Sequence, residues 1–255
     1  MGGRPAAELI FGLHPVLEAL RARRRPLFRL RIQEDLKREE LGELGELAQA
    51  AGVAVERISR QGLLAALPSG AKGQGLFLEA GPLPTPSLEE LQSLTAPPGG
   101  RRLLVALDGV EDPQNLGAII RVAEAVGALG LVLTARRAPP LGAAVARASA
   151  GAVEHLPISR VGNLRRALGQ LKDGGFWVIG ADAETGEDLF QTRDRIWQGD
   201  LVLVFGAEGR GIRRSVLQLL DHRIRIPMVG RVGSLNVASA AAVVLFEAVR
   251  RGRTG

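Results

Sequence analysis

Three short polar clusters hold the side chains of this chain that could do chemistry. The first, Asp108-Gly109-Val110-Glu111-Asp112-Pro113-Gln114-Asn115-Leu116-Gly117, leads on to Arg121. The second is Phe205-Gly206-Ala207-Glu208-Gly209-Arg210-Gly211, and the third runs from Ile226-Pro227-Met228 to Ser234-Leu235-Asn236-Val237. Each comes after a short apolar run. In an open α/β sheet such positions lie beyond the carboxyl ends of strands, where ligands bind. Together they offer amides, a carboxylate, a hydroxyl, a guanidinium and a glycine-lined backbone. None contains cysteine or histidine. The set suits binding and positioning, and supplies neither a metal centre nor a histidine-activated nucleophile.

The spacing of Gly206, Gly209 and Gly211 matches neither the dinucleotide fingerprint G-x-G-x-x-G nor a phosphate loop ending in Gly-Lys-Ser/Thr. A nicotinamide or ATP site of the usual kind is therefore not expected. Asn115 stands where the N-cap of a helix beginning at Leu116 would stand. Ser234 is placed to cap the last helix, with Asn236 in its first turn, where free N–H groups suit an anion. Arg121, between Ile120 and Val122, calls for an anionic partner, either Glu208 or an RNA phosphate. Each feature alone also fits a plain structural role as turn, cap or ion pair.

The elements that must position these groups follow from the hydrophobic pattern. Continuous apolar runs at Leu103–Leu107, Leu129–Leu133, Trp177–Gly180 and Leu201–Phe205 predict buried parallel strands. Helices are expected at Leu116–Val126, Ala143–Ser149, Leu164–Leu171 and Arg213–Leu220. A last helix over Leu235–Arg250 is apolar almost all round, as in a core or a subunit interface. Pro82, Pro84, Pro86, Pro97, Pro98, Gly99 and Gly100 mark residues 81–100 as a linker, with a short helix near Leu88–Leu94. The chain thus divides into 1–80, the linker 81–100, and 101–255. The first segment alternates helix (Pro15–Arg23, Leu36–Ala51) with strand (Phe28–Ile32, Val53–Ile58, Gly75–Glu79).

Lys and Arg together number 33 against 27 acids, a net charge of +6, and all but three of the bases are Arg. Arginine pairs bidentately with phosphate, so the balance permits a nucleic-acid partner. Arg21, Arg23, Arg24 and Arg25, continued by Arg29 and Arg31, form the densest positive run, and Arg147 joins them as a candidate RNA contact. Aromatic residues make up only 4%, with no Tyr, which argues against base-stacking platforms. With no cysteine there is no disulfide framework or thiolate metal site. No apolar run reaches the roughly 18–20 residues of a membrane span. A cytoplasmic protein is the simplest expectation.

In joint order and spacing the clusters resemble the SpoU/TrmH family of RNA ribose 2′-O-methyltransferases, within the SPOUT superfamily. Asn115-Leu116-Gly117 … Arg121 resembles its first motif and Leu203-Val204-Phe205-Gly206-Ala207-Glu208-Gly209 its second. Ile226-Pro227-Met228 … Ser234-Leu235-Asn236-Val237-Ala238 resembles its third. Ala148-Ser149-Ala150-Gly151-Ala152 fits the family pattern between them. Phe11-Gly12-Leu13-His14-Pro15-Val16 with Glu18-Ala19-Leu20 resembles the opening of members with an added RNA-binding domain, the subgroup that modifies a guanosine in 23S ribosomal RNA. Lys72-Gly73-Gln74-Gly75 stands where that subgroup often has His-Gln-Gly.

The resemblance implies an α/β fold: a parallel-sheet methyltransferase domain with a C-terminal trefoil knot, preceded by a small α/β RNA-binding domain. It implies S-adenosylmethionine as cofactor with no metal, contacted at Gly206, Ile226 and Leu235, with Met228 and Ser234 nearby. It also implies a homodimer whose site combines both subunits. Arg121 is expected to grip phosphate and ribose, oriented by Asn115 and Glu208, while Ser234 and Asn236 shape the pocket. The implied substrate is large-subunit ribosomal RNA or an assembling subunit. The rival readings are a transfer-RNA methyltransferase, a non-catalytic RNA-binding assembly protein on the same fold, and an ordinary nucleotide-dependent enzyme.

Overall fold

In a computed structural model, residues 7–36, 42–68, 73–96, 98 and 100–252 are described. The chain divides into two compact units: residues 1–84 with 140–155, and residues 85–139 with 156–255.

The second unit is built on strands with no polar interruption. β5 (Leu103–Asp108), β6 (Gly130–Thr134) and β10 (Leu201–Gly206) are buried almost throughout, as strands covered on both faces must be. With β7 (Ile158–Val161), β8 (Trp177–Ala181), β9 (Glu187–Asp188) and β11 (His222–Arg225) they form a seven-stranded sheet, ordered β7-β6-β5-β10-β8-β11-β9. Every pairing in it is parallel. Alternate residues point to opposite faces. Leu104, Ala106, Val202 and Val204 face a core that includes Leu88 and Leu91 of α4 (Leu88–Gln92), Leu164, Leu168 and Leu171 of α7 (Leu164–Asp173), and Val216 of α8 (Arg214–Leu217). α5 (Pro113–Ala125) and α9 (Val237–Gly252) pack against one another. Their buried residues include Leu116, Ile119, Ile120 and Ala123 on α5, and Ala241, Val244, Leu245 and Ala248 on α9. Because all strands run the same way, their carboxyl ends share one edge.

The first unit carries a four-stranded mixed sheet, ordered β1-β4-β2-β3, from β1 (Glu8–Phe11), β2 (Leu27–Gln33), β3 (Ala54–Ile58) and β4 (Leu76–Ala80). α1 (Leu13–Ala22) and α2 (Gly42–Ala50) supply Val16, Leu17, Leu20, Leu44 and Ala48 to its core. α3 (Arg60–Ala66) is capped by Ser59, whose hydroxyl accepts from the Gly62 N–H. α6 (Ala143–Ala148) and a short 3₁₀ turn at 152–154 also belong here, packed on β1 and α1.

Several expectations are revised. Residues 140–155 group with the first unit, away from their neighbours in sequence. The short helix expected near Leu88–Leu94 is present as α4, and its Ser87-x-x-Glu90 capping box and buried Leu88 and Leu91 fix it to the second unit's core, so this part of the stretch 81–100 is packed and not a free linker. The helix expected at 36–51 is seen over Gly42–Ala50; residues 37–41 lie outside the described residues, as does Lys72. Of the two settings expected for the last helix, a core alone does not account for it within this chain, since Phe246 is exposed and Ala238 and Ala242 are half-buried. Among the described residues no helix is long and apolar enough to cross a membrane.

Candidate active site

The two helix starts were each expected at a different residue. Asp112 caps α5: its carboxylate accepts from the Gln114 and Asn115 N–H groups at 3.3 and 3.2 Å, and Pro113 follows at the first helical position. Asn115 is thereby moved into the first turn, with its amide free to point outward. Asn236 caps α9 in place of Ser234, its Oδ1 accepting from the Ala238 N–H at 2.9 Å.

Those two shifts bring the motifs together. The Asn115 amide donates to Glu208 Oε1 at 3.0 Å. The Asn236 amide donates to the same oxygen at 2.6 Å and to Asn115 Oδ1 at 2.9 Å. One carboxylate and two amides, from segments 93 and 28 residues apart, close a three-membered network on the surface at the strand ends. Its Glu208 end stands on a turn that glycine makes. Gly209 and Gly211 have φ of 78° and 60°, and Ala207 pairs back with Gly211. A Cβ on Gly206 would sit 2.1 Å from the Gly211 carbonyl carbon, so the returning backbone requires glycine there.

Arg121 lies two turns beyond Asn115 on α5, exposed, and among the described residues makes no hydrogen bond or ion pair. It is not part of the network, and Glu208, one of the two anionic partners weighed for it, is bonded to Asn115 and Asn236 instead. Ile226 is half-buried at the end of β11, while Met228, Ser234 and Leu235 are exposed on the loop to α9. β10 and β11 flank β8, so the Gly206 and Ile226 strand ends are about 10 Å apart, two inter-strand spacings. Ala181 and Asp182, at the end of β8, occupy the gap; a charge closing the apolar run Trp177–Gly180 was the available signal. The half-exposed apolar side chains and the glycine backbone suit a ligand with an apolar body, and the segment brings no large cluster of charge against it.

Asp108, which opens the first cluster, was given no role of its own from the sequence. It is 1% exposed, and accepts from both the backbone N–H and the Nε of Arg213, at 2.8 and 2.7 Å. This pair clamps the far end of the glycine turn to β5. An acid at the end of a wholly apolar strand was its signature.

The expected arginine patch is largely engaged within the first unit. Arg25 is 5% exposed: its guanidinium donates to Glu154 Oε2 at 2.9 Å, to Glu8 at 2.7 Å and to the Gly81 carbonyl at 3.2 Å. It is an interior ion pair and not a surface contact. Arg21 pairs with Glu18 and Glu43, and Arg24 donates to the Glu154 carbonyl at 3.2 Å. Arg23 and Arg147 remain exposed. Helix α1 ends at Ala22 with Arg23 left-handed at φ 50°, turning Arg25 inward.

Comparison with known proteins agrees with this layout. Residues 102–246 match the SpoU rRNA Methylase family, and residues 9–86 match a domain described as RNA 2′-O ribose methyltransferase substrate binding. A Bacillus subtilis protein named as a TrmH family tRNA/rRNA methyltransferase is 35% identical over 244 residues, covering 96% of each chain. The SpoU methyltransferase AviRb from Streptomyces viridochromogenes, solved with AdoMet, superposes with a TM-score of 0.78 at 25% identity, covering 97% of this chain and 91% of that one. A TrmH/SpoU tRNA modifying enzyme of A. aeolicus reaches 0.53 at 26% identity, covering 66% of this chain and 83% of that one. The match over most of the catalytic unit and the identity over nearly the whole length place this chain in the SpoU/TrmH family of RNA methyltransferases.

Proposed function

We propose that the protein methylates the 2′-hydroxyl of a ribose, that of a guanosine in 23S ribosomal RNA, using S-adenosylmethionine. The observation that carries this reading is the Asn115–Glu208–Asn236 network, which draws three distant segments to one point on the carboxyl edge of the parallel sheet. The cofactor supplies a methyl on a sulfonium centre, which departs as a neutral thioether and needs no acid. What remains for the protein is alignment of a ribose oxygen, worth up to roughly 7–11 kcal/mol in ideal cases, and release of the 2′-hydroxyl proton to solvent as the new carbon–oxygen bond forms.

Glu208 holds both amides, so their remaining hydrogen-bonding capacity is fixed in direction before RNA arrives. Gly206, Ile226, Met228, Ser234 and Leu235 would hold the cofactor along the β10–β8–β11 edge. Arg121, free of internal partners among the described residues, is available to a phosphate. A guanidinium beside a phosphate stays protonated, so we assign it to gripping the RNA and not to removing the proton. Retention of full turnover and pH profile in Arg121→Lys would refute any need for a guanidinium at this position.

The ribosomal target is favoured over a transfer RNA by the match of residues 102–246 to a family described as SpoU rRNA Methylase and by the separate substrate-binding domain at residues 9–86, whereas the tRNA-modifying enzyme of A. aeolicus is matched over 66% of this chain. A homodimer is supported by the exposed Phe246 and half-buried Ala238 and Ala242 on α9. A knot in the β10-to-α9 passage is proposed on the match to the SpoU family, whose resemblance implies one. Mapping 2′-O-methyl groups in total RNA from cells with and without the active protein tests the reading. A guanosine of the large subunit should lose its methyl group, and an unchanged map refutes the proposal.

A further inference from the structure

The Asn115–Glu208–Asn236 network leaves a second feature of the same sheet edge unexplained. A cleft of about 430 Å³ opens beside it, walled by residues at the ends of β5, β6 and β7 and by the turn that follows β10. Ala207, the residue before Glu208, lies in its wall. Arg136, Arg137, Arg165, Arg210 and Arg213 line it, and the one acid among the lining residues, Asp108, has both oxygens engaged by Arg213. Arg210 stands 3.9 Å from Glu111, both largely exposed. Among the described residues, Arg136, Arg137 and Arg165 make no hydrogen bond or ion pair.

Guanidinium groups gathered around one concavity repel each other, and an anion removes that repulsion. Arg137 adds a separate sign: its φ is 69°, the left-handed region that a long side chain seldom adopts. Such strain in a residue other than glycine persists where the surroundings impose it, and clusters at ligand clamps.

We propose that this cleft binds the phosphodiester backbone of the substrate RNA, on nucleotides flanking the one whose ribose reaches Asn115 and Asn236. The proposal deepens the methyltransferase reading and rests on it. Arginine forks match phosphate oxygens in pairs. Thr134, Asn163 and Ser215 add neutral donors to the lining, and no aromatic residue lines the cleft to stack a base. Contacts of this kind fix register along the strand without reading sequence.

The test uses the full-length protein and a fluorescent 24-nucleotide single-stranded RNA of mixed sequence, with anisotropy titrations across KCl concentrations. Arg136→Gln/Arg165→Gln should weaken binding at least ten-fold at low salt. It should also reduce the slope of log K against log[KCl] by about 1.4, two phosphates at roughly 0.7 each. Arg136→Lys/Arg165→Lys should keep the slope. Calorimetric affinity for S-adenosylmethionine should be unchanged in both, which also shows that the fold is intact. Arg137→Gly should melt at or above the parent temperature yet bind the RNA more weakly, since it releases the backbone and loses the charge. An unaltered slope in the Gln variant overturns the proposal, and so does a loss confined to cofactor affinity. Methyl transfer to total RNA by the parent separates the two readings. Active parent with unaltered slope removes the cleft alone. Inactive parent with a reduced slope in the variant removes the activity and leaves the cleft.

Discussion

Asp108 and Arg213 meet twice. The buried carboxylate accepts from the arginine's own backbone N–H and from its side chain, at 2.8 and 2.7 Å, across 105 residues of chain. One interaction therefore fixes both the path of the turn after β10 and the direction of the guanidinium that leaves it. Asp108→Ala should destabilise the fold by about 3 kcal/mol, since hydrogen bonds to charged groups contribute roughly 1.5–3 kcal/mol each and the two share partners. Arg210→Ala, in the same turn but paired loosely and in solvent, should stay within about 0.5 kcal/mol of the parent. Urea unfolding with unchanged m-values distinguishes them.

The Asn115–Glu208–Asn236 network predicts coupling. Asn115→Ala and Glu208→Ala should each lower kcat/KM for methyl transfer by about 100-fold, the effect of a misplacement of about 1 Å. The double variant should fall well short of the product, with an interaction energy of about 0.5–3 kcal/mol. Strict additivity in single-turnover assays contradicts a shared role.

Arg25 yields a prediction opposite to its apparent place in the basic run. Removing it strands Glu154, which is wholly buried, so Arg25→Met should cost about 3–5 kcal/mol. Arg25→Met/Glu154→Leu should recover most of that loss, and RNA affinity of the recovered variant should equal the parent's. Thermal melts and RNA titrations supply both readouts.

Stability in acid should report on α9. Hydrogen bonding from Arg250, aided by Arg251 and opposed by burial, holds the Glu247 carboxyl down at about 2. A lowered folded-state value means the stabilisation is full above the ordinary carboxylate range near 4.5 and disappears as pH falls from there towards 2. Each tenfold gain in the carboxyl's acidity on folding is worth roughly 1.4 kcal/mol. The parent should therefore lose up to about 3 kcal/mol across that window that Glu247→Gln does not lose. Unfolding curves at successive pH values reveal the difference.

These residues also show what could be read from the sequence. β5, β6, β8 and β10 were legible because burial on both faces leaves an uninterrupted apolar run. β7 and β11 were not: Ile-Ser-Arg-Val and His-Arg-Ile-Arg lie towards the sheet margins, where one face stays polar. The three motifs were placed at strand ends from the sequence, with Arg121, Asn115, Glu208 and Asn236 expected in one pocket; hydrogen bonds join Asn115, Glu208 and Asn236, and Arg121 stands outside that network. The helix caps were misplaced, by three residues at Asn115 and by two at Ser234, because Asp112 and Asn236 compete with them as equally good caps. Arg25 was misread because a run of arginines carries no mark of which one turns inward; its partner Glu154 is 129 residues away. The grouping of 140–155 with the first unit is hidden for the same reason.

Asn236 does two things with one side chain: its oxygen starts a sixteen-residue helix while its nitrogen reaches Glu208. The proposed site and the start of α9 thus share a single residue. Loss of the pocket's geometry would show as faster amide hydrogen exchange at Ala238 and Ser239, so the enzyme's competence could be monitored by protection at two backbone positions, without substrate.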